Sequence, residues 1–286
     1  MRIRFSAPIL SGLLLFLLIG GCAGRPATSH KHQQAAEAVN SQLGTTYLRT
    51  PKGAIKQVTY SATGGFALLE GDIIIGTVEE AQAALAAGPG SNRILGVGAS
   101  DPKRRWPNGV IPYLIADNVP DKSRVREAIA HWEQHTPIRF VVHTTETNVV
   151  MFQRTDANCW SEVGRQSRPQ SIFISDFCRV GEVIHEIGHT VGLYHEQSRE
   201  DRDKFVEILW NNIPEQRQYN FNQKINDSDD LGPYDYGSIM HYGAREFSGN
   251  GRTTIKAPKP IGQRKGLSPG DIQAVKAMYA PGPNEQ

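Results

Sequence analysis

His185-Glu186-Ile187-Gly188-His189-Thr190-Val191-Gly192-Leu193-Tyr194-His195 joins a helical segment to a metal-ligand spacing. A helix is expected from Gly181 to Val191. On it, two histidines four residues apart lie on one face, one turn from each other. Two imidazoles so placed can grip one ion, while the offset Glu186 can hold a water on that ion. The third histidine could not reach the same ion from a straight helix. Gly192 tolerates positive φ and lets the chain turn out sharply, so His195 can return as the third ligand. Three protein ligands leave a fourth position for water, the arrangement of a catalytic zinc site. Zinc lowers the pKa of that water toward 7, and Glu186 can take its proton as it attacks a carbonyl. The bland alternative is a core helix with satisfied histidines. His131, His135 and His143 show no such spacing, and for them the bland reading holds.

The flanks describe an α+β domain beginning near residue 95. Strands are predicted at Val110–Ile115, Ile138–Val142, Val149–Phe152 and Ser171–Ser175. Between the first two, Asp121–His135 reads as an amphipathic helix, with Val125, Ala128, Ile129 and Trp132 at helical spacing. Residues 198–260 are rich in turn formers. A last helix is expected over Ser268–Tyr279, with Ser268 as N-cap and Asp271 in the first turn.

Upstream, Ile55–Tyr60, Phe66–Leu69 and Ile73–Ile75 have strand character. Thr77-Val78-Glu79-Glu80 is a capping box opening a helix through Ala87, and Gly88-Pro89-Gly90-Ser91 marks a boundary. So small a unit needs the rest of the chain to complete a core. Residues 23–46 are rich in Ala, Gln, Ser, Thr and His and read as a tether, with His30 and His32 solvated. At the start, Arg2 and Arg4 precede an apolar run, Ile9 to Ile19, which is short for a bilayer span of about 20 residues. This is the pattern of an export signal, residues 1–22. Ile19-Gly20-Gly21-Cys22 resembles a bacterial lipobox, which would make Cys22 a lipidated first residue; an ordinary signal with an incidental cysteine is the alternative. Ala23, not aspartate, follows Cys22, which for a Gram-negative source favours an outer-membrane lipoprotein, with a periplasmic or cell-surface location as the alternative.

Of 286 residues, 39% are apolar and 21% charged, enough for a buried core. The net charge of +2 and the scattered basic residues give no nucleic-acid surface. The short run Lys103-Arg104-Arg105 reads as a solvated loop. In an oxidising compartment Cys159 and Cys178 are expected to form a disulfide, with two buried free thiols as the alternative.

The segment His185–His195 is the metzincin zinc signature, and Glu196-Gln197-Ser198-Arg199-Glu200-Asp201-Arg202-Asp203 after it resembles the astacin branch. Tyr234-Asp235-Tyr236-Gly237-Ser238-Ile239-Met240-His241-Tyr242 is similar to that family's Met-turn. Ile261-Gly262-Gln263-Arg264 and Leu267-Ser268-Pro269-Gly270-Asp271-Ile272 resemble its C-terminal end. Upstream, Trp106–Tyr113 resembles its first strand and Cys159–Arg165 its edge strand. The resemblance spans roughly residues 94–281, leaving 282–286 as a tail. It implies a metzincin-like fold: a twisted, mostly parallel sheet with two long helices, a zinc cleft, and an irregular C-terminal subdomain ending in a helix.

It also implies roles for the matching positions. One Zn2+ per chain is held by His185, His189 and His195, with Tyr242 as an extra ligand that swings off to bond the oxyanion. Met240 forms an apolar floor, and Glu196 pairs with the new α-amino group of the processed chain. The strand at Trp160 and Ser161 takes an extended peptide by strand addition. The family's usual second disulfide has no cysteines here. Leu69-Glu70-Gly71-Asp72 resembles the family's aspartate switch, in which Asp72 would bind zinc in place of the catalytic water; a plain turn is the alternative. Residues 47–93 would then be an inhibitory pro-segment. Cleavage between Gly88 and Pro107, for instance at Arg93-Ile94, would remove inhibition and tether together. The expected function is a zinc endopeptidase for extended polypeptides, monomeric and made as a latent exported precursor. A non-enzymatic surface lipoprotein and a zinc hydrolase of non-peptide bonds are the alternatives.

Overall fold

The computed structural model describes residues 42–50, 53–91, 95–96, 101–224 and 230–280. The export signal with Cys22, most of the tether, Arg93-Ile94 and the tail lie outside them.

The domain from residue 101 carries the parallel strands β6 (Val110–Ile115), β7 (Arg139–Val142), β8 (Val150–Arg154) and β10 (Gln170–Ile174). They run in the order β7-β6-β8-β10, and the short β9 (Trp160–Glu162) joins β10 antiparallel. Two helices pack together under this sheet, α2 (Ser123–His135) and α3 (Val180–Val191). The predicted apolar stripe of α2 is its buried face: Val125, Ala128 and Trp132 are inaccessible to solvent. They share one core with Ile172, Ile174, Val183, Ile187 and Met240. Beyond α3 the described residues are mostly turns and short 3-10 segments, with one two-residue strand pair among them, β11 (Glu207–Ile208) with β12 (Ile255–Lys256). Helix α4 (Pro269–Met278) is the last element among the described residues; Ser268 Oγ accepts from Asp271 N, and the Asp271 carboxylate accepts from Ser268 N. Cys159 and Cys178 form a disulfide.

Residues 42–91 form a unit of their own, an antiparallel meander of β1 (Gln42–Arg49), β2 (Ile55–Thr63), β3 (Phe66–Leu69) and β4 (Ile73–Thr77). Helix α1 (Val78–Ala87) starts at the predicted capping box, with Glu80 N donating to Thr77 Oγ1 at 3.1 Å. The two-residue β5 (Leu95–Gly96) pairs with β1. The apolar cluster of this unit includes Val163 of the neighbouring domain and packs against Tyr194, so its core is completed from outside. Strand β4 pairs in parallel with β9, Ile73 opposite Ser161 and Ile74 opposite Glu162, which fuses both parts into one ten-stranded sheet.

Two expectations need correction. The tether of residues 23–46 is too long, because Gln42–Thr46 are the first half of β1. Their polarity misleads: Thr46 is fully buried with its hydroxyl satisfied by Ala81 O at 2.8 Å. The Lys103–Arg105 run is also more than a solvated loop. Arg105 donates to Met278 O at 2.9 Å and Arg104 to Gln166 Oε1 at 3.0 Å, tying the domain's first residues to α4 and to the loop after β9.

Candidate metal centre

Helix α3 ends where Gly192 adopts φ 125°, and its N–H reaches back to Gly188 O and His189 O. The turn brings His195 beside His185, their Nε2 atoms 3.3 Å apart. One ligand atom from each of His185, His189, His195 and Asp72 lies within 4.8 Å of all the others. Asp72 comes from the turn between β3 and β4. Its Oδ2 is 3.3 Å from His185 Nε2 and 3.2 Å from His195 Nε2, and its Oδ1 is 3.6 Å from His189 Nε2.

The outer nitrogens define the tautomers. Nδ1 of His185 lies 2.8 Å from Ile239 O, that of His189 2.8 Å from Leu193 O, and that of His195 2.8 Å from Glu70 Oε2. All three partners accept, so each Nδ1 carries the hydrogen and each Nε2 turns a lone pair inward. His189 Nε2 and Asp72 Oδ1 are buried without a hydrogen-bond partner. Buried polar atoms are seldom left so. A cation among these four groups would satisfy both, and three imidazoles with a carboxylate are a zinc donor set.

Glu186 sits beside the cluster, buried, with Oε2 accepting from Ser161 Oγ at 2.7 Å. Burial, then the neighbouring Asp72 carboxylate, raise its pKa well above the usual range. Met240 packs against α3, its Sδ only 2.6 Å from where a Cβ on Gly188 would stand. The Tyr242 hydroxyl donates to Glu70 O at 2.5 Å, and its ring lies 4.6 Å from that of His195. Glu196 Oε1 accepts from Asp235 N at 2.7 Å at the edge of a cavity of about 80 Å³, which Arg105, Arg199 and Asp271 also line. Burial pushes its pKa up to about 7. Trp160 is 1% exposed, and the edge of β9 that would take a peptide is occupied by β4.

The arrangement and the chain's relatives point the same way. The family model of astacin, a peptidase family, matches residues 98–280. The chain belongs to the astacin family. It is 40% identical over 194 residues to bone morphogenetic protein 1 of Xenopus laevis, covering 63% of this chain and 27% of that protein. It is equally 40% identical over 194 residues to blastula protease 10 of Paracentrotus lividus, covering 62% and 32%. The chain therefore spans less than a third of the length of these curated relatives. Among solved structures, high choriolytic enzyme 1 of Oryzias latipes, a hatching enzyme zinc-protease, matches at TM-score 0.56 and 37% identity, over 61% of this chain and 92% of that one. Zinc is the metal this family uses, and His185, His189 and His195 are the residues that would hold it.

Two features of this astacin-family site were not legible beforehand. The hydroxyl of Ser161 orients Glu186, whereas the sequence marks only its strand. Glu70 and Lys224 meet in an ion pair of 2.5 Å across 154 residues of chain, and no motif connects them. His131 and His135 are structural, as read: His131 Nε2 accepts from Leu267 N, and His135 Nδ1 lies 2.7 Å from His131 O.

Proposed function

We propose that this chain is an exported endopeptidase made as a latent precursor, in which residues 47–93 cover the active site. The observation that carries this reading is the convergence of three inward-facing histidine Nε2 atoms on Asp72, with Glu186 alongside. Zinc, when bound there, polarises a carbonyl and lowers the pKa of water. Glu186 takes the proton of the attacking water at its carboxylate and returns it to the leaving amine. The Ser161 hydroxyl orients that carboxylate through Oε2. The substrate is an extended polypeptide that adds as a strand to β9, the position β4 holds in the precursor. Once Glu70 O is gone, the Tyr242 hydroxyl is free to donate to the oxyanion. Glu196, half-buried and 3.6 Å from Arg199, receives the new α-amino group after processing. Asp72 is the latency residue, because its carboxylate occupies the place a substrate carbonyl and water require.

The basic, apolar and small-residue order of residues 1–22 supports export, and Ile19–Cys22 supports a lipid anchor removed together with the pro-segment. Among the described residues no helix is long and apolar enough to cross a membrane. A second reading has one observation in its favour: β4 covers β9 so well that residues 47–90 could be a permanent cap on a non-enzymatic zinc protein. A protease assay on casein separates the two, using the full chain, a chain starting at Ile94, a Glu186→Ala control of each, and a chelator. Hydrolysis by the Ile94 form that the chelator and Glu186→Ala both abolish supports the peptidase. Zinc binding without hydrolysis by any form supports the cap.

A further inference from the structure

The turn that carries Asp72 also carries a second carboxylate, and the two face different partners. Glu70 is 3% exposed, and a carboxylate so buried persists only with strong partners. One oxygen lies 2.8 Å from His195 Nδ1, the nitrogen that points away from the metal position; the other lies 2.5 Å from Lys224 Nζ. The Lys224 cation is itself preset. Its backbone N–H donates to Ser198 O at 2.6 Å, and its ammonium stands 5.9 Å from the Tyr194 ring centroid. Ser198 in turn donates through Oγ to His195 O at 2.7 Å, so one short segment fixes both donors that Glu70 meets. Glu70 has φ 53°, uncommon for a residue with a Cβ, and its carbonyl accepts the Tyr242 hydroxyl. Such backbone is kept where several contacts over-determine it.

We propose that Lys224 Nζ and His195 Nδ1–H form a carboxylate-binding site outside the metal's coordination sphere, occupied in this chain by Glu70. The N-terminal unit is then held by two carboxylates, of which only Asp72 depends on the metal. This rests on the reading of residues 47–93 as a cover for the active site, and it adds a hold that survives metal loss. The two donors belong to the peptidase domain and the acceptor to the removable unit, so the site is emptied by the same event that frees the metal centre.

Hydrogen exchange on the full chain tests this, read on the amides of β4 with zinc present and after chelation. Four forms are compared: wild type, Asp72→Asn, Glu70→Gln and Lys224→Met, with the Glu70→Gln/Lys224→Met double variant completing a cycle. In the wild type, chelation is expected to change β4 exchange by less than about tenfold. After chelation, Glu70→Gln and Lys224→Met are each expected to speed it by about 100-fold or more, the scale of leaving one member of a buried ion pair alone. The double variant is expected to exchange no faster than the faster single variant, because the two side chains form one interaction. Amides of α2 serve as the folding control and are expected to stay unchanged in every form. The proposal is overturned if chelation alone opens β4 as far as Glu70→Gln does. It is also overturned if the single effects multiply in the double variant, or if α2 opens with β4. Failure of the aspartate reading looks different: Asp72→Asn with zinc would then match the zinc-loaded wild type, while the Glu70 and Lys224 results would stand.

Discussion

Residues 42–91 reach the metal centre through one turn of an antiparallel meander, whereas residues 101–280 reach it through a helix end and a mostly irregular chain. The histidines reflect this difference. The outer nitrogens of His185 and His189 are tied to Ile239 O and Leu193 O, within their own domain. That of His195 is tied to Glu70, from the other unit. Losing the N-terminal unit therefore leaves two ligands oriented as before and deprives the third of its partner. Under the proposed latent-precursor reading, a site that is covered and later opened keeps most of its ligand geometry inside the permanent domain. What covers it needs only a few strong polar contacts and a short backbone ladder.

The largest expected effect lies on the domain side. Glu186→Gln in the processed chain should lower peptide hydrolysis by about 10²–10⁴-fold, the usual range for a general base. Zinc content by elemental analysis should stay the same; a variant that loses its metal would make Glu186 a ligand and blur the division drawn above. On the other side, Ile74→Ala strips a buried side chain from β4, where it packs with Leu68 and Trp160. A loss of about 2–5 kcal/mol is expected, as for other buried Ile→Ala changes. It should fall on the N-terminal unit, so limited proteolysis should cut residues 42–91 sooner while 101–280 stays resistant. Equal loss in both parts would mean that they unfold as one.

Asp72→Ala in the uncut chain should raise hydrolysis about 10- to 100-fold, the scale of one charge-assisted contact. No gain would show that the covering strand β4 suffices for latency. The smallest effect concerns the joint between the domain's two ends. Tyr279 Oη donates to Val191 O at 2.8 Å and accepts from Trp106 N at 3.3 Å, in a chain that lacks the family's second disulfide. Tyr279→Phe should cost about 1 kcal/mol at neutral pH in denaturant titrations. Burial pushes this phenol up to about 12 from 10.0. Its contribution is therefore complete below pH 10 and is lost as the pH rises through 12, a decline that Tyr279→Phe should lack. Parallel alkaline curves for the two proteins would contradict that burial.

Much of the centre was readable from local spacing. The four-residue interval of His185 and His189 and the turn at Gly192 are consequences of helix geometry, which neighbouring residues alone define. Capping at Thr77 and Ser268 was readable for the same reason. Strand β1 was not, because Thr46 looks like a solvent-facing residue until Ala81 O is beside it. Tyr242 was recognised, but its contact with Glu70 O depends on a residue 172 positions away.

The sequence by itself determined the three histidines, the glutamate beside them, the α+β order of elements and the turn that bears Asp72. Each is encoded in short-range pattern: helix periodicity, strand character, a capping pair, a glycine able to turn. Only the tertiary structure decided that β4 lies on β9, that Ser161 holds Glu186, and that Glu70 closes on Lys224 and His195. These depend on which surfaces bury one another, and a buried charge finds its partner through packing, however far away in the chain that partner lies.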